Sequence, residues 1–169
     1  DFCVMQPPDN LAELTYEPVM QERIFLVCHR DHPLLQGLDS GCGDPKPFPD
    51  LRLLEHARVV MLPPAWRLSK LLYNTFSVHS MEPQNLLITT NTTTAINLAA
   101  EKLGFAFLQE SGVSRTPYLD RLACFTLGEP PLTCPLAVVY KKNGFLSPAA
   151  RTFIDLVKEF YSRFDHKPE

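Results

Sequence analysis

Apolar residues in this chain fall in short blocks cut apart by prolines and glycines, and the period inside each block decides what it becomes. "FCVM" at 2–5 is an apolar run stopped by Pro7 and Pro8, which predicts a buried strand and a turn. In "YEPVMQERIFLVCHRDHPL" the block Ile24–Val27 predicts a second strand. Residues 36–50, "QGLDSGCGDPKPFPD", hold three glycines and three prolines, a density of breakers that excludes a long helix and predicts a loop. "ARVVML" gives a strand over 58–62. Pro63 and Pro64 follow and lead into a helix to about residue 78, since a first helical turn tolerates proline. Leu68, Leu71, Leu72 and Phe76 share one face of that helix.

The same unit recurs downstream. A strand at 85–90 precedes a helix carrying Ile96, Leu98, Ala99 and Leu103; Gly104 is placed to end it, and "FAFLQ" follows as a strand. "LACFTL" and "PLAVVYKKN" predict two more strands. Ser147 and Pro148 open a last helix, whose buried face is expected to hold Phe153, Ile154, Leu156, Val157, Phe160 and Tyr161. Strands alternating with helices define an α/β fold, a mostly parallel sheet with flanking helices.

Composition changes this picture little. With 169 residues, 45% of them hydrophobic and 21% charged, the chain has enough apolar surface for a core. Its formal net charge of −3 supplies no basic face for nucleic acid. No apolar run reaches the ~20 residues that span a bilayer, and no signal peptide is visible, so a cytoplasmic location is expected. The five cysteines lack C-x-x-C spacing, which argues against a zinc site or a disulfide framework. Cys3 and Cys28 lie in strand-like runs, where a thiol packs as a small hydrophobe. Cys42 and Cys134 lie near turns, and reduced thiols are expected. The first residues, "DFCVMQPPD", start at the edge of a strand without Met, and a larger protein extending upstream is expected.

Candidate chemistry concentrates at the openings of the two central helices. In open α/β sheets ligands bind beyond the carboxyl ends of strands, where helix N-termini present unpaired N–H groups and about half a positive charge. Thr89, Thr90, Asn91, Thr92, Thr93 and Thr94 occupy one such position. A single capping residue satisfies a helix, so a run of six polar residues points further, to hydroxyls lining a small-anion pocket. The other wall is "LPPAWR": Pro63, Pro64, Ala65, Trp66 as an apolar surface, and Arg67 as a partner for a carboxylate. Helix capping, strand surface and ordinary packing are the bland alternatives for these residues. His29 and His32 in "HRDH" are spaced i, i+3, but Pro33 excludes a metal-binding helix and leaves a solvated turn. Ser111 has no nucleophile-elbow context, and no P-loop, dinucleotide fingerprint or metalloprotease motif occurs. Neither a metal, a cofactor nor catalysis is expected.

Three stretches, in order, resemble the LysR-type transcriptional regulators. "YEPVMQERIFLVCHRDHPL" resembles their strand leading to an Arg-Asp-His-Pro turn, "TTAINLAAEKLGFAFLQES" their helix–glycine–strand element, and "PLAVVYKKNGFLSPAARTFIDLVKEF" their closing strand, turn and helix. The resemblance implies a two-lobed effector-binding domain of the type II periplasmic-binding-protein fold, its first lobe incomplete here. The first lobe would comprise residues 1–26 and 112–169 and the second 27–111, with hinges at Val27 and Gln109. An effector would bind between lobes, against Pro63, Pro64, Ala65 and Trp66 and against Thr90, Asn91 and Thr92, and shift a homodimer or homotetramer whose DNA contacts lie in a missing N-terminal helix-turn-helix. Helix 65–78 is a candidate dimer surface, with full burial against its own sheet as the alternative. Two features depart from the family pattern: Gln109 stands where a proline is usual, and Pro63-Pro64 with Trp66 is not a standard turn. The rival reading is a solute-binding protein for a small anion in transport; an enzyme on a related fold ranks third.

Overall fold

The computed structural model describes residues 2–8, 10–38 and 40–162. They form two compact units, one built from the chain up to Glu22 and from Thr133 onward, the other from Arg23–Leu132.

The second unit carries the strand–helix repeats. Its strands are the later part of β2 (Leu14–His29), β3 (Lys46–Pro47), β4 (Arg58–Met61), β5 (Asn85–Ile88), β6 (Phe105–Gln109) and β7 (Leu122–Thr126). Their order is β5-β4-β6-β2-β7-β3. β4, β5 and β6 are mutually parallel, β3 is parallel to β7, and β2 alone runs against its neighbours. Uninterrupted apolar runs suit strands covered on both faces: Val59, Val60, Phe105, Ala106, Phe107 and Leu108 are all at most 2% exposed. Alternation then divides the layers. Ala106 and Leu108 pack with Ala95, Ile96 and Ala99 of helix α2 (Thr92–Ala100), while Phe107 meets Phe76 of helix α1 (Arg67–Val78) edge-on at 5.3 Å. A short helix, α3 (Glu110–Val113), follows β6 directly.

Several local expectations change. Pro63 and Pro64 belong to a turn, closed by Trp66 N–H to Pro63 C=O at 2.9 Å, and α1 begins at Arg67. Helix α2 ends at Ala100, four residues before Gly104. Lys102 takes the left-handed position (φ 63°), and Leu103 N–H reaches back to Leu98 C=O at 2.8 Å, a Schellman closure. Gly104 serves a different purpose, because a Cβ there would stand 2.7 Å from the Arg58 carbonyl.

The first unit holds β1 (Phe2–Met5), β8 (Thr133–Lys141), the early part of β2 and helix α4 (Pro148–Ser162). β1 pairs antiparallel with β8, from Phe2 opposite Tyr140 to Met5 opposite Ala137. Helix α4 seats Ile154, which is fully buried, and Phe153 lies 5.6 Å from the ring of Phe2. The rest of its expected buried face is covered only in part: Val157 and Tyr161 are half-buried, while Phe153, Leu156 and Phe160 stay about half exposed. Strand β1 is likewise open, with Cys3 exposed rather than in a core. For Cys3 the reason is position, since β1 is the outermost strand of its sheet.

The boundaries also differ from the lobes expected at 26/27 and 111/112. β7 pairs with β2 and β3 and so belongs to the second unit. Val27, expected at a hinge, is fully buried four residues inside that unit, opposite both Ala106 and Cys124. Gln109 pairs with Ile24.

Candidate functional site

Because β4 and β5 are adjacent and parallel, the openings of α1 and α2 lie at the same sheet edge. Thr89 N–H donates to Met61 C=O at 3.0 Å, which carries the pairing past the strand ends and sets Thr90 near the turn at Leu62 and Pro63. The buried Ser69 hydroxyl donates to Leu62 C=O at 2.8 Å and ties the first turn of α1 to the end of β4. At α2, Asn91 is the cap: its side-chain oxygen accepts from Thr94 N–H at 3.1 Å, and its own N–H donates to the Thr89 hydroxyl at 3.2 Å. Among the described residues no acceptor meets the amides of Thr92 and Thr93. Those two N–H groups are the unpaired donors of the helix end.

A cavity of about 380 Å³ opens against them. Thr92, Thr93, Ile96 and Asn97 supply one wall; Ser111, Gly112, Arg115, Thr116, Pro117 and Tyr118, which follow β6, supply the other. Of the nine candidate site residues, Thr92 and Thr93 line this cavity. Pro63, Pro64, Ala65, Trp66, Arg67, Thr90 and Asn91 do not; they sit along the same edge, Pro63 and Arg67 half-buried and the others exposed, Trp66 at 44%. Arg115 and Thr116 were not among the candidates. The carboxyl-edge rule that singled out the openings after β4 and β5 applies equally after β6, and that was the available signal.

The histidine pair is not a solvated turn. His29 ends β2 only 7% exposed, its Nδ1 accepting from Asp31 N–H at 3.0 Å, and burial holds its pKa below the usual imidazole value. His32 packs edge-on against Phe105 at 4.5 Å, and burial lowers its pKa too. Each ring serves a local backbone turn. Among the described residues no cluster of three or more His, Cys, Asp or Glu could hold a metal ion, and no helix is long and apolar enough to cross a membrane.

The cysteines require a correction as well. Cys42 and Cys124 form a disulfide with Cα atoms 4.7 Å apart, where free thiols were expected. The pair is 82 residues apart in sequence, and only the approach of the 36–50 loop to β7 brings it together. Cys28 and Cys134 are buried thiols outside this bond, and the Cys134 sulfur accepts from the Gln6 side-chain amide at 3.3 Å.

Parallel strands whose following helices open on one edge define an α/β ligand-binding domain. The family is more specific: the LysR substrate binding domain model matches residues 1–162, and the chain belongs to that family. The effector binding domain of QuiR in complex with shikimate is similar at a TM-score of 0.75 and 17% identity, over 98% of this chain and 73% of that one. The regulatory domain of Synechocystis PCC6803 CcmR in complex with 2-PG gives 0.74 and 18%, over 98% and 75%. The BenM effector binding domain with its effector benzoate gives 0.73 and 20%, over 99% and 72%. At these identities the likeness is one of fold. No curated protein matches the chain.

Proposed function

We propose that the chain is the effector-sensing part of a DNA-binding transcriptional regulator, and that its ligand is a small anion, a carboxylate or an inorganic oxyanion. The observation that carries the reading is the cavity at the opening of α2, which is lined by Thr92 and Thr93, whose two amides are unpaired, and by Arg115 and Thr116. Fixed N–H dipoles and a guanidinium suit an anion, and no His, Cys, Asp or Glu is among the residues that line the cavity, which favours a ligand that is bound and not transformed. Ligands named for similar domains, shikimate and benzoate, are carboxylates. Pro63–Arg67, Trp66 among them, lie outside this cavity and remain candidates at the opening of α1. Binding would shift the geometry of a homodimer or homotetramer and thereby the placement of an upstream helix-turn-helix; the stripe Leu68, Leu72 and Phe76 of α1 is buried, so the ground for α1 as the dimer surface is gone. Coupling of about 1–3 kcal/mol suffices for such a response. Hinge motion, expected at Val27 and Gln109, is assigned instead to the two places where the chain passes between units, Glu22–Arg23 and Leu132–Thr133.

The test is a thermal-shift series on the protein with benzoate, shikimate, phosphate and sulfate, read alongside the emission of the single tryptophan. A ligand at ~100 times its Kd stabilises by about 2.7 kcal/mol, a readily measured shift. The double variant Thr92→Ala, Thr93→Ala and the single variant Arg115→Ala should each lose most of it. A double variant that responds as the parent does removes the threonine wall; a parent that responds to no anion removes the anionic-effector reading.

A further inference from the structure

The second unit contains a covalent link that effector sensing does not use. Cys124 lies fully buried on β7, whereas Cys42 is half-buried in the exposed tripeptide Gly41-Cys42-Gly43. Space is open around both glycines, with nothing within 4 Å of where a side chain would begin. Residues 40–46 are held to the sheet by few other contacts. The Ser40 hydroxyl donates to Cys124 C=O, Lys46 N–H donates to the Ser40 hydroxyl at 3.3 Å, and the two-residue β3 pairs with β7. Cys42 and Gly43 also wall a cavity of about 230 Å³ together with Phe25, Glu110, Val113, Ser114 and Leu119. Glu110 there is bound by Arg23, the first residue of the unit, and Asp44 in the loop adds its charge to the field at Arg23.

No thiol of the second unit is placed to exchange with this bond. Cys28 is its remaining cysteine, but Val27 pairs with Cys124 and Cys28 with Ala123, so the Cys28 side chain lies on the opposite sheet face. Burial also pushes that thiol up to about 12. Exchange therefore needs an external thiol, and the accessible sulfur is that of Cys42.

We propose that the Cys42–Cys124 bond is a thiol-exchange site, opened through Cys42 by a small external thiol, and that reduction releases residues 40–46 from β7 and unwalls the cavity beside Glu110. The thiolate attacks Cys42 Sγ; the disulfide breaks, and Cys124 leaves as a thiolate that takes up a proton. A second external thiolate attacks its counterpart's sulfur in the mixed disulfide. That releases Cys42 as a thiolate and forms the external disulfide, so two electrons have passed to the protein. Running the sequence backwards with an external disulfide restores the bond. Nothing in this inference depends on the nature of the effector.

The test uses the full chain, oxidised with glutathione disulfide and then treated with reduced glutathione or dithiothreitol. Peptide mapping after alkylation should find three free cysteines before reduction and five after it, and the trapped glutathione adduct should sit on Cys42. Hydrogen exchange over 40–46 should rise about tenfold on reduction, with 58–61 and 105–109 unchanged. The variant Cys42→Ser should show the fast exchange without any reductant. Alkylation of Cys42 and Cys124 in the oxidised protein, unchanged exchange over 40–46, or exchange rising across the whole sheet would each overturn the proposal. The last result would make the bond a purely structural staple.

Discussion

Arg23 holds Glu110 through two bonds at once, Nε to Oε2 at 2.9 Å and Nη2 to Oε1 at 2.6 Å, joining the first residue of the second unit to the first residue of α3. The guanidinium also lies 5.1 Å from the centre of the Phe25 ring. Both side chains are about a quarter exposed, so water screens the pair only in part. A planar fork matched to a carboxylate is the geometry in which an ion pair near a surface contributes measurably. A double-mutant cycle of Arg23→Gln and Glu110→Gln, followed by urea unfolding, should give a coupling of about 1–2 kcal/mol. Arg23→Lys should recover less than half of it, because an ammonium cannot reproduce the paired bonds. Coupling below the error of the measurement would reduce the pair to a surface contact.

Gly104 marks the point where α2 turns into β6 and the two strands β4 and β6 come together. Its φ of +153° is a backbone state that side chains disfavour, and an added Cβ would meet the Arg58 carbonyl at 2.7 Å and Val60 Cγ2 at 3.2 Å. The carbonyl belongs to a neighbouring strand and has little room to move. Gly104→Ala should therefore destabilise by about 2–3 kcal/mol, through backbone strain and overpacking together. For a chain of this size that lowers the melting temperature by roughly 5–10 °C. Gly41→Ala, in open space, is the control and should change stability little. Equal melting temperatures for the two variants would contradict the close approach.

The parts of this fold that were legible in the sequence are those where one local rule decides. "VVM" and "FAFL" read as buried strands because both of their faces are covered, and a cap was expected at Asn91 or one of its threonine neighbours because a helix end needs one acceptor; Asn91 takes that role. The parts that were missed depend on partners distant in sequence. Strand β2 begins at Leu14, not near Ile24, and its early half reads poorly because Pro18, Glu17 and Gln21 interrupt the apolar pattern. Its burial alternates up to Glu22 and becomes continuous from Ile24, tracking the change from the first unit to the second. The disulfide had no local signature, since spacing does not reveal that residue 42 returns to β7. Two of the ten residues that line the cavity, Thr92 and Thr93, were among the candidates. Arg115 and Thr116 were not, because a turn after a strand carries no periodicity that would separate a lining residue from a solvated one.

Glu17 gathers three donors in the first unit: the Tyr140 hydroxyl at 2.6 Å, Arg151 at 2.6 Å and the Lys158 ammonium. Those bonds, Lys158 foremost, hold its pKa down at about 2 against an ordinary value of 4.5. The folded state thus binds the proton more weakly than the unfolded chain does. The stabilisation is complete above the ordinary value and is lost as pH falls through the interval from about 4.5 to about 2. With the carboxylate partly open to water, the contribution is about 1–2 kcal/mol at neutral pH. Helix α4 supplies two of the donors, so losing them should loosen this helix from β2 and β8. Glu17→Gln should lower stability at pH 7 and flatten its dependence between pH 4.5 and 2.5, measured by urea unfolding at several pH values. The same acid slope in Glu17→Gln as in the parent would place the acid sensitivity elsewhere.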